Sequence, residues 1–370
     1  EVAAAEWRSN LADLRDVRFP GFERVRAVFR LHLRTVGGVK ISQIALDRLP
    51  LFFRGPIDLS TRLHEHLVAH TAGVVVRPRA DRSNRMAPVS PTLIRGKSIR
   101  ALGLEPEESL LPHDRRSFHG HRLLHEYFTF PNRLLFAELT GLGAAIRRIE
   151  TEEVEILVLL ESADSTLEGA VAADHVALFA TPAVNIFPRS ADRIHLTEAQ
   201  HELHVVPDRT RPVDFEVYSV GEVVGFGVGG VQQRRTFLPL YGATEATAGR
   251  EEAHFTVRRE PRRPSDQGRV QGPRSSYVGS EVFLSIVDEA GGAYRTDLQQ
   301  LGVELLCTNR DLPLLMPLQV GRTDFTLDLG VPVESIRCIA GPTPPKPSTA
   351  QGRTAWYLVS YLSLNYIEVT

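Results

Sequence analysis

The sequence has little cysteine, little lysine and no long apolar run. Two cysteines among 370 residues exclude a scaffold that depends on disulfide bonds. The longest dense apolar stretch, residues 154–160, is far shorter than the roughly 20 residues that a membrane-spanning helix needs. The formal net charge of −2 excludes a nucleic-acid binder held by bulk electrostatics. These absences predict a soluble protein with no direct membrane insertion and no nucleic acid as a partner.

The two ends of the sequence and its basic residues are also unusual. The chain does not begin with methionine, and residues 358–370 are patterned as a strand, which indicates a fragment lacking both ends. A signal peptide therefore stays open as an interpretation. Only three of the 43 basic residues are lysine. A GC-rich genome explains this bias, and protein–protein contacts, where arginine is enriched, are the alternative explanation.

The residues that are present predict an α+β chain rich in β-structure. Residues 1–19 are predicted to form a helix, because Trp7 and Leu11 fall on one face and alanine favours helix. Residues 24–35 alternate between apolar and mostly basic positions, which predicts a half-buried strand with an arginine-rich outer face. Residues 58–70 have the apolar spacing of a helix.

Composition divides the chain into three predicted parts. Residues 1–105 form an N-terminal α+β part, residues 106–212 a middle α+β domain, and residues 213–370 a β-rich domain. The stretch 77–112 is rich in Pro, Arg and Ser and is predicted to be a connector. Residues 258–274 are predicted to form a basic loop within the last domain, because they carry six arginines and several Pro and Gly breaks.

Two segments share the order strand, loop, helix and strand. They are residues 49–78 and 153–188, and each ends at a proline that follows an apolar strand. In the second segment the helix is predicted at 167–179 and the last strand at 183–187, stopped by Pro188. A duplicated mixed α/β unit explains the similarity. Chance is the alternative, because the segments match in pattern and not in identity.

The second half of the chain is predicted to be mostly β. The predicted strands are 201–206, 213–220, 222–227, 233–238, 280–288, 303–306, 325–327, 335–339 and 356–364. The proline-rich stretch 342–347 is predicted to be an extended linker of polyproline II type.

One glycine-rich segment matches a dinucleotide fingerprint but lacks its context. Residues 225–230 read G-F-G-V-G-G, which fits G-x-G-x-x-G. That fingerprint needs a helix directly after it, whose N-terminus holds the pyrophosphate. Residues 231–239 instead alternate like a strand and end at a proline. The segment is therefore interpreted as the turn of a β-hairpin, and no cofactor is predicted.

Histidine and cysteine also fail to form a recognisable site. Two groups of histidines stand close in sequence: His64, His66 and His70, and then His113, His119, His121 and His125. Histidines four residues apart can bind zinc, but the first group does not complete H-E-x-x-H because position 68 is valine. Cys307 and Cys338 each end a predicted apolar strand without C-x-x-C spacing, which is typical of buried, inert cysteines. No catalytic residue and no metal ligand is predicted.

Seven segments, in order, resemble the TssF family, the type VI secretion baseplate subunit. They lie at 127–136, 182–187, 205–209, 277–284, 306–313, 337–345 and 362–366. Among them, the residues interpreted as structural or interface positions are Phe128, Phe130, Pro131, Phe136, Asn185, Phe187, Pro207, Asp208, Arg209, Glu281, Cys307, Asn309, Arg310, Asp311, Pro313, Asn365 and Tyr366. The resemblance extends from about residue 24 to the end of the chain.

The resemblance implies a structural role in a large assembly. It implies that two TssF copies combine with one TssG, that TssK and TssE join this wedge, and that six wedges surround the VgrG hub. The ring would then prime assembly of the Hcp tube and the contractile TssB–TssC sheath. The implied location is the cytoplasm, at the cytoplasmic side of the inner membrane. Enzymatic activity and a cofactor are not implied.

The quoted residues allow alternatives for their roles. Asn309 and Asp311 are predicted to cap a tight turn from which Arg310 either projects or forms an internal ion pair. The segment 206–209 has the same turn chemistry. Phe128 and its neighbours Phe130 and Phe136 are predicted to fill the core, with interface anchoring as the alternative.

Two further alternatives stay open. The basic loop 258–274 would contact an acidic partner or remain solvated. A dinucleotide or metal enzyme, the alternative to a scaffold, would need a helix after Gly230 or three converging ligands. A scaffold predicts a strand there and no thermal stabilisation by NAD or zinc.

Overall fold

The computed structural model describes most of the chain. The described residues are all of 1–370 except 15–16, 18–20, 80–90, 95, 97, 113–118, 198–199, 228–229, 241–252, 264–273, 288–297, 332, 347–351 and 364–370. His113, Asn365 and Tyr366 therefore lie outside the described residues, as does most of the basic loop. The described chain is rich in β-structure, has few helices and divides into two compact units, Glu1–Ala183 and Val184–Thr370.

In its described residues, the first unit contains two antiparallel sheets and three helices. Its strands are β1 (Val2–Arg8), β2 (Ala27–Arg34), β3 (Arg48–Phe53), β4 (Thr71–Pro78), β5 (Thr92–Ile94), β6 (Ile99–Ala101), β7 (Phe136–Thr140), β8 (Glu153–Leu160) and β9 (Val176–Ala177). Its helices are α1 (Ile57–Ala69), α2 (His119–Thr129) and α3 (Gly143–Ile146), with short 3-10 turns at Ala12–Leu14, Phe22–Arg24, Ile41–Gln43, Pro106–Glu108, Pro131–Leu134 and Ala173–His175. The first sheet has the order β1-β2-β8-β4-β5, and the second has the order β6-β7-β3-β9.

The core of the first unit draws on both predicted α+β parts. Phe29 of β2, Val74 of β4 and Ile156 of β8 are fully buried and pack with Leu63 of α1. Because β8 lies between β2 and β4 in the strand order, residues on both sides of position 105 share one sheet. The three-part division of the sequence stays a prediction.

The second unit is built on one large sheet. Its strands are β10 (Phe187–Ser190), β11 (Ile194–His195), β12 (Leu203–Val205), β13 (Glu216–Gly227), β14 (Gly230–Pro239), β15 (Ala253–Pro261), β16 (Ser280–Val287) and β17 (Leu298–Thr308). This third sheet has the order β10-β17-β13-β14-β15-β16-β12, with β11 also paired to β17, and only β14 and β15 run parallel. After β17 come a 3-10 turn, Leu312–Leu315, and the helix α4 (Gly352–Ser363).

Three predicted elements at 1–19, 167–179 and 356–364 were wrong. The first begins with β1, whose Trp7 is buried opposite Phe29 of β2, because cross-strand packing outweighs the small helix propensity of alanine. Residues 167–179 form turns, one 3-10 turn and the two-residue strand β9, since Gly169 has a φ of +74° that a helix does not allow. Residues 356–363 are helical in α4. The predicted strand was wrong because a short continuous apolar run has no period that separates strand from helix.

The absence of a second helix also contradicts the duplicated unit. The segment 153–188 contains β8 and β9, and its predicted last strand begins only at Phe187. Pro188 lies inside β10 rather than stopping a strand, which is possible because β10 is an edge strand. The two segments therefore share an initial strand and little else.

Other predictions in the second half had mixed outcomes. The hairpin around residues 225–230 is confirmed, because β13 and β14 pair antiparallel from Val223–Phe237 to Gly227–Gly230. The basic loop was predicted to start at 258, but β15 continues to Pro261. Residues 325–327 and 335–339 contribute one isolated bridge, Phe325–Ile336, rather than two strands. Among the described residues, no helix is both long enough and apolar enough to cross a membrane.

Candidate assembly site at the closing edge of the third sheet

Several predicted site residues lie where the two ends of the third sheet meet. The main-chain N–H of Asp192, which follows β10, donates to the carbonyl of Val206 after β12 at 3.0 Å. Arg189 of β10 donates through Nε to Pro207 O at 3.1 Å and through Nη2 to Asp208 Oδ2 at 2.5 Å. Arg209 N donates to Asp192 Oδ2 at 2.7 Å. We call this region, residues 185–192, 203–216 and 305–311 of the second unit, the closing edge.

Asp208 forms the turn that the sequence predicts there. Its Oδ1 accepts hydrogen bonds from Thr210 N at 2.9 Å, Thr210 Oγ1 at 2.6 Å and Arg211 N at 3.2 Å. The bond from the Thr210 hydroxyl is the main reason why the pKa of Asp208 lies below its ordinary value. The predicted turn chemistry of residues 206–209 is confirmed.

Asn185 and Asn309 extend the pairing of β10 with β17 beyond its last strand pair. Phe187 lies opposite Cys307, and two residues further out Asn185 Oδ1 accepts from Asn309 N at 2.6 Å. Asn185 Nδ2 donates to Asn309 Oδ1 at 3.1 Å. The Asn309 side chain therefore binds Asn185 instead of capping the turn. The turn is closed by the main-chain carbonyl of Asn309, which accepts a hydrogen bond from Leu312 N.

Phe187 and Cys307 have structural surroundings. Phe187 packs edge-on against Phe215, with 6.1 Å between the ring centroids. The guanidinium of Arg189 lies over the Phe215 ring, 4.1 Å from its centroid. Cys307 is fully buried, and burial raises the pKa of its thiol to about 11. A neutral, buried thiol is a poor nucleophile, which agrees with the predicted inert role. Cys338 is free as well but lies outside the strands, contrary to its predicted position.

Arg310 is held inside the unit and does not project from the turn. Its Nη1 donates to Val213 O at 2.9 Å, and its Nη2 donates to Val278 O at 3.1 Å and Tyr277 O at 3.3 Å. Its Nε lies 3.9 Å from Glu216 Oε2. The alternative of an internal ion pair is therefore confirmed. The backbone at Arg310 is left-handed, with a φ of +54°, which turns the chain inward.

Glu216 is a central acceptor that the sequence did not reveal. Its Oε2 accepts from Tyr277 Oη at 2.8 Å, and its Oε1 accepts from Ser280 N at 2.8 Å and Ser280 Oγ at 2.6 Å. Burial and then the carboxylate raise the pKa of Tyr277. A lone glutamate at the start of an alternating strand carries no pattern that distinguishes it from a solvated one.

Asp311 fixes the chain that follows the basic loop. Its Oδ1 accepts from Arg274 Nε at 3.2 Å, and its Oδ2 accepts from Ser275 Oγ at 2.5 Å. Arg274 Nη1 also binds Asp214 Oδ1 at 2.7 Å. Asp311 precedes the 3-10 turn Leu312–Leu315, in which Pro313 is the second residue, but the Asp311 side chain makes no capping bond. The predicted side-chain cap was wrong at Asp311, because Arg274 and Ser275 occupy the carboxylate.

The stability of the second unit should depend on pH through Asp311. The hydrogen bond from Arg274, followed by that from Ser275, lowers the pKa of Asp311 from 3.8 to about 2. A lowered folded pKa means that the stabilisation is complete above pH 3.8 and is lost as the pH falls towards 2. We expect Asp311→Asn to be less stable than the parent at pH 7 and nearly equal to it near pH 2. Urea unfolding at pH 7, 4 and 2.5 measures this difference, and a constant difference would contradict the prediction.

Four arginines of the predicted basic loop, Arg258, Arg259, Arg262 and Arg274, bind within the second unit. Arg258 pairs with Glu202 and Glu260, and Arg259 Nη1 donates to Val217 O at 2.7 Å. Arg262 Nη1 donates to Pro212 O at 2.6 Å. Its Nε lies 3.7 Å from Oε1 of Glu281, so Glu281, one of the residues singled out in the sequence, forms an ion pair with Arg262. Burial and the charge of Arg310 lower the pKa of Arg262. These internal contacts reduce the basic charge available to an acidic partner.

The aromatic segment of the first unit separates into core and surface. Phe136 in β7 is buried and stacks on Phe52 at 4.6 Å, so its predicted core position is confirmed. Phe130 is half-buried and precedes Pro131, which begins a 3-10 turn. Phe128 is 67% exposed, so its predicted core position was wrong.

The orientation of α2 explains the exposure of Phe128. The helix buries Arg122 and Glu126, which form an ion pair at 2.9 Å, and Glu126 also lies 2.8 Å from Nε of Arg133. The main-chain N–H groups of Leu110 and Leu111 donate to the same carboxylate. Because these charged groups occupy the inner face, the opposite face, with Leu124, Tyr127 and Phe128, points to solvent.

An exposed apolar stretch follows the closing edge. Between 314 and 339 the side chains of Leu314, Leu315, Met316, Val320, Phe325, Leu327, Leu329, Val331, Val333 and Ile339 are at least one third exposed. In α4 the same holds for Trp356, Tyr357, Leu358, Val359 and Tyr361. We call residues 312–346 and α4 together the apolar tail.

The residues with possible chemistry do not assemble into a site in the described part of the chain. No group of three or more His, Cys, Asp or Glu side chains there could hold a metal ion. His64 Nε2 lies 3.2 Å from Phe136 O, and His66 lies 3.5 Å from Asp164. The strand β14 follows the glycine-rich turn, where a dinucleotide site would need a helix.

Comparison with known proteins gives a consistent result. The family model for "Type VI secretion system, TssF" matches residues 1–370. The chain is 45% identical over 370 residues to "Type VI secretion system component TssF1" from Pseudomonas aeruginosa PAO1. The match covers all of this chain and 58% of that relative, so the chain spans little more than half of the relative's length.

A solved structure has the same fold over nearly the whole chain. It is a cryo-electron microscopy structure of the type VI secretion system TssK-TssF-TssG baseplate subcomplex. The TM-score is 0.67 at 22% identity, and the match covers 99% of this chain and 61% of the other. At this identity the similarity concerns the fold.

Proposed function

Because the chain belongs to the TssF family of the type VI secretion system, a structural baseplate family rather than an enzyme family, we propose that it is a structural component of the baseplate wedge. Two copies would assemble with one TssG, and TssK and TssE would join them around the VgrG hub. The assembled ring would prime the Hcp tube and the TssB–TssC sheath. This assembly would take place in the cytoplasm, at the inner membrane.

The apolar tail is the observation that carries this proposal. Exposed apolar surface that is concentrated in a few segments often marks a place where another protein binds. Trp356, Val359 and Tyr361 on α4 are each at least 60% exposed. A helix that is apolar on all sides is stable when it is enclosed by other elements. A structural subunit in a multi-protein ring meets this requirement.

The closing edge would give the apolar tail a fixed starting point. Asn309, Arg310 and Asp311 are tied to three separate segments through Asn185, Val213 and Arg274. Rigid attachment lowers the conformational entropy lost when the tail binds a partner. These three residues would thus support assembly without themselves touching a partner.

The direct test is to isolate the complex. We expect the full-length gene, co-expressed with its TssG-like and TssK-like neighbours and purified through a tag on TssG, to yield a stable complex. Native mass spectrometry should show two copies of this protein per TssG. A folded protein that does not co-purify would contradict the proposed function, and NAD and zinc would then be tested for thermal stabilisation.

Phe128 offers a specific test of an interface on the first unit. An exposed aromatic on a rigid helix fits an interface anchor, whose removal often costs 2 kcal/mol or more, about thirtyfold in affinity. We expect Phe128→Ser to reduce complex recovery while the melting temperature of the isolated protein stays unchanged. Val36→Ser is the matched control, because Val36 is 73% exposed in a loop outside the family segments. Equal recovery of both variants would remove Phe128 from the interface.

A further inference from the structure

One face of the first sheet carries a ladder of charged residues centred on a buried histidine. Arg30 and His32 come from β2, Glu153 and Glu155 from β8, and Arg77 from β4. Arg77 Nε lies 2.6 Å from Glu155 Oε2, and Arg30 lies 3.7 Å from the same carboxylate. The arginine-rich outer face predicted for residues 24–35 is thus paired with acidic residues on the neighbouring strand.

His32 lies between a cation and an anion. Arg79 Nη1, just beyond the end of β4, lies 2.6 Å from Nδ1 and 3.0 Å from Nε2 of the ring. Glu153 Oε2 lies 3.1 Å from Nε2. The lone-pair directions of the two ring nitrogens diverge, so a guanidinium nitrogen this close to both lies against the face of the ring, where a neutral ring receives the cation. A neutral ring with its proton on Nε2 can at the same time donate to Glu153.

A second proton on the ring would be unfavourable for two reasons. The His32 side chain is 8% exposed, so a charged ring would be poorly solvated. A second positive charge on the ring would also lie within 3.0 Å of Arg79 Nη1. Arg30 and Arg77 add further cations beside Glu155. On β1 the residue opposite His32 is the uncharged Ala4, and nearby Glu6 and Arg8 pair with each other. At the far end of β2, Arg34 pairs with Glu1.

We propose that His32 is a proton-sensitive link that holds the end of β4 against β8 and β2 in its neutral form and releases Arg79 when it is protonated. Arg79 is otherwise attached there by a main-chain bond to Glu153 O and an ion pair with Glu153 Oε2, and both distances are 3.5 Å, which is long. Release of Arg79 therefore loosens the strand end rather than the buried centre of the sheet. The device lies in the first unit and is separate from the closing edge and the apolar tail.

The direction of the pH effect follows from the surroundings of the ring. Burial and then the charge of Arg79 lower the pKa of His32 below its ordinary value of 6.5, and Glu153 only partly opposes them. With a lowered folded pKa, the link is complete above pH 6.5 and is lost as the pH falls through the folded pKa. Each pH unit between the two pKa values changes the ratio of linked to released protein by about tenfold.

The test is hydrogen exchange at the end of β4. We expect the amides of Val76, Arg77 and Arg79 to lose protection between pH 7.5 and 5.0, after correction for intrinsic exchange. His32→Gln should be flat with pH, because its amide can accept from Arg79 and donate to Glu153 without titrating. His201→Gln, at an exposed histidine, should behave like the parent. A pH dependence that survives in His32→Gln would overturn the proposal.

A second measurement covers the case in which His32→Gln does not fold. In Arg79→Gln, the NMR titration of the His32 ring should shift to higher pH, because the cation that opposes ring protonation is gone. A His32 titration that is the same with and without Arg79 would show that the two side chains are not coupled, and would also overturn the proposal.

Discussion

Glu126→Gln is expected to destabilise the first unit by about 3–5 kcal/mol, which is the usual cost of removing one partner from a buried ion pair. The side chains of Glu126, Arg122 and Arg133 are each less than 5% exposed. Glutamine preserves the shape but leaves two buried guanidinium groups without their carboxylate. Two main-chain donors, Leu110 and Leu111, also lose a charged acceptor.

Urea unfolding followed by Trp7 fluorescence measures this loss. Trp7 is buried in the first unit, and the second tryptophan of the chain, Trp356, is replaced by phenylalanine in all variants to remove its signal. Glu107→Gln is the matched control, since Glu107 is exposed on a neighbouring turn, and it should leave the midpoint unchanged. If Glu126→Gln unfolded at the same midpoint as Glu107→Gln, the buried charges would not hold α2 in place.

Arg310→Met is expected to destabilise the closing edge by about 2–4 kcal/mol, because three hydrogen bonds from a charged donor and the cation beside a largely buried carboxylate are lost. Methionine retains the apolar stem but none of the donors. The carbonyls of Tyr277 and Val278 lose a donor, Val213 O keeps only Arg274 Nη2, and Glu216 loses its cation. Arg310→Lys should recover only part of the stability, because one ammonium group cannot reach three carbonyls in the geometry of a planar guanidinium.

Hydrogen exchange in β13 and β16 reports this change, since Glu216 begins β13 and Ser280 begins β16. Protection should fall in both strands of Arg310→Met and stay unchanged in β2 and β8 of the first unit. Arg322→Met is the matched control, because Arg322 pairs with Glu334 at the surface, where both side chains are more than 70% exposed. A uniform loss of protection across both units would instead indicate global unfolding.

Much of the strand pattern could be read from the sequence. The alternation of residues 24–35 and the hairpin at 225–230 depend on local patterning, and β2 and the β13–β14 pair follow it. The turn at Asp208 also formed as predicted, because a short polar side chain bonds to main-chain groups within three residues of itself. Contacts of this range are encoded by neighbouring residues.

Three errors in secondary structure show where local patterning fails. The alanines of β1 favour helix, but pairing with β2 and burial of Trp7 decided otherwise. Leu167 and Val171 have helical spacing and are both buried, yet Gly169 turns the chain between them. The apolar residues of the run 356–363 fit the spacing of a strand as well as that of a helix, and the structure has a helix there. In each case the deciding energy comes from distant residues or from backbone conformation.

The family and its structural role followed from the order of seven short segments, which the sequence contains in full. What those segments do was decided by tertiary structure. Asn185 meets Asn309 across 124 positions, and Arg274 meets Asp311 across 37, so neither pair has a local signature. Phe128 faces solvent because Glu126 binds Arg122 and Arg133 on the inner face of α2. Sequence alone determined which segments carry the family resemblance, whereas long-range pairing of charges and main-chain groups determined whether each of their residues lies in the core, at the closing edge or at the surface.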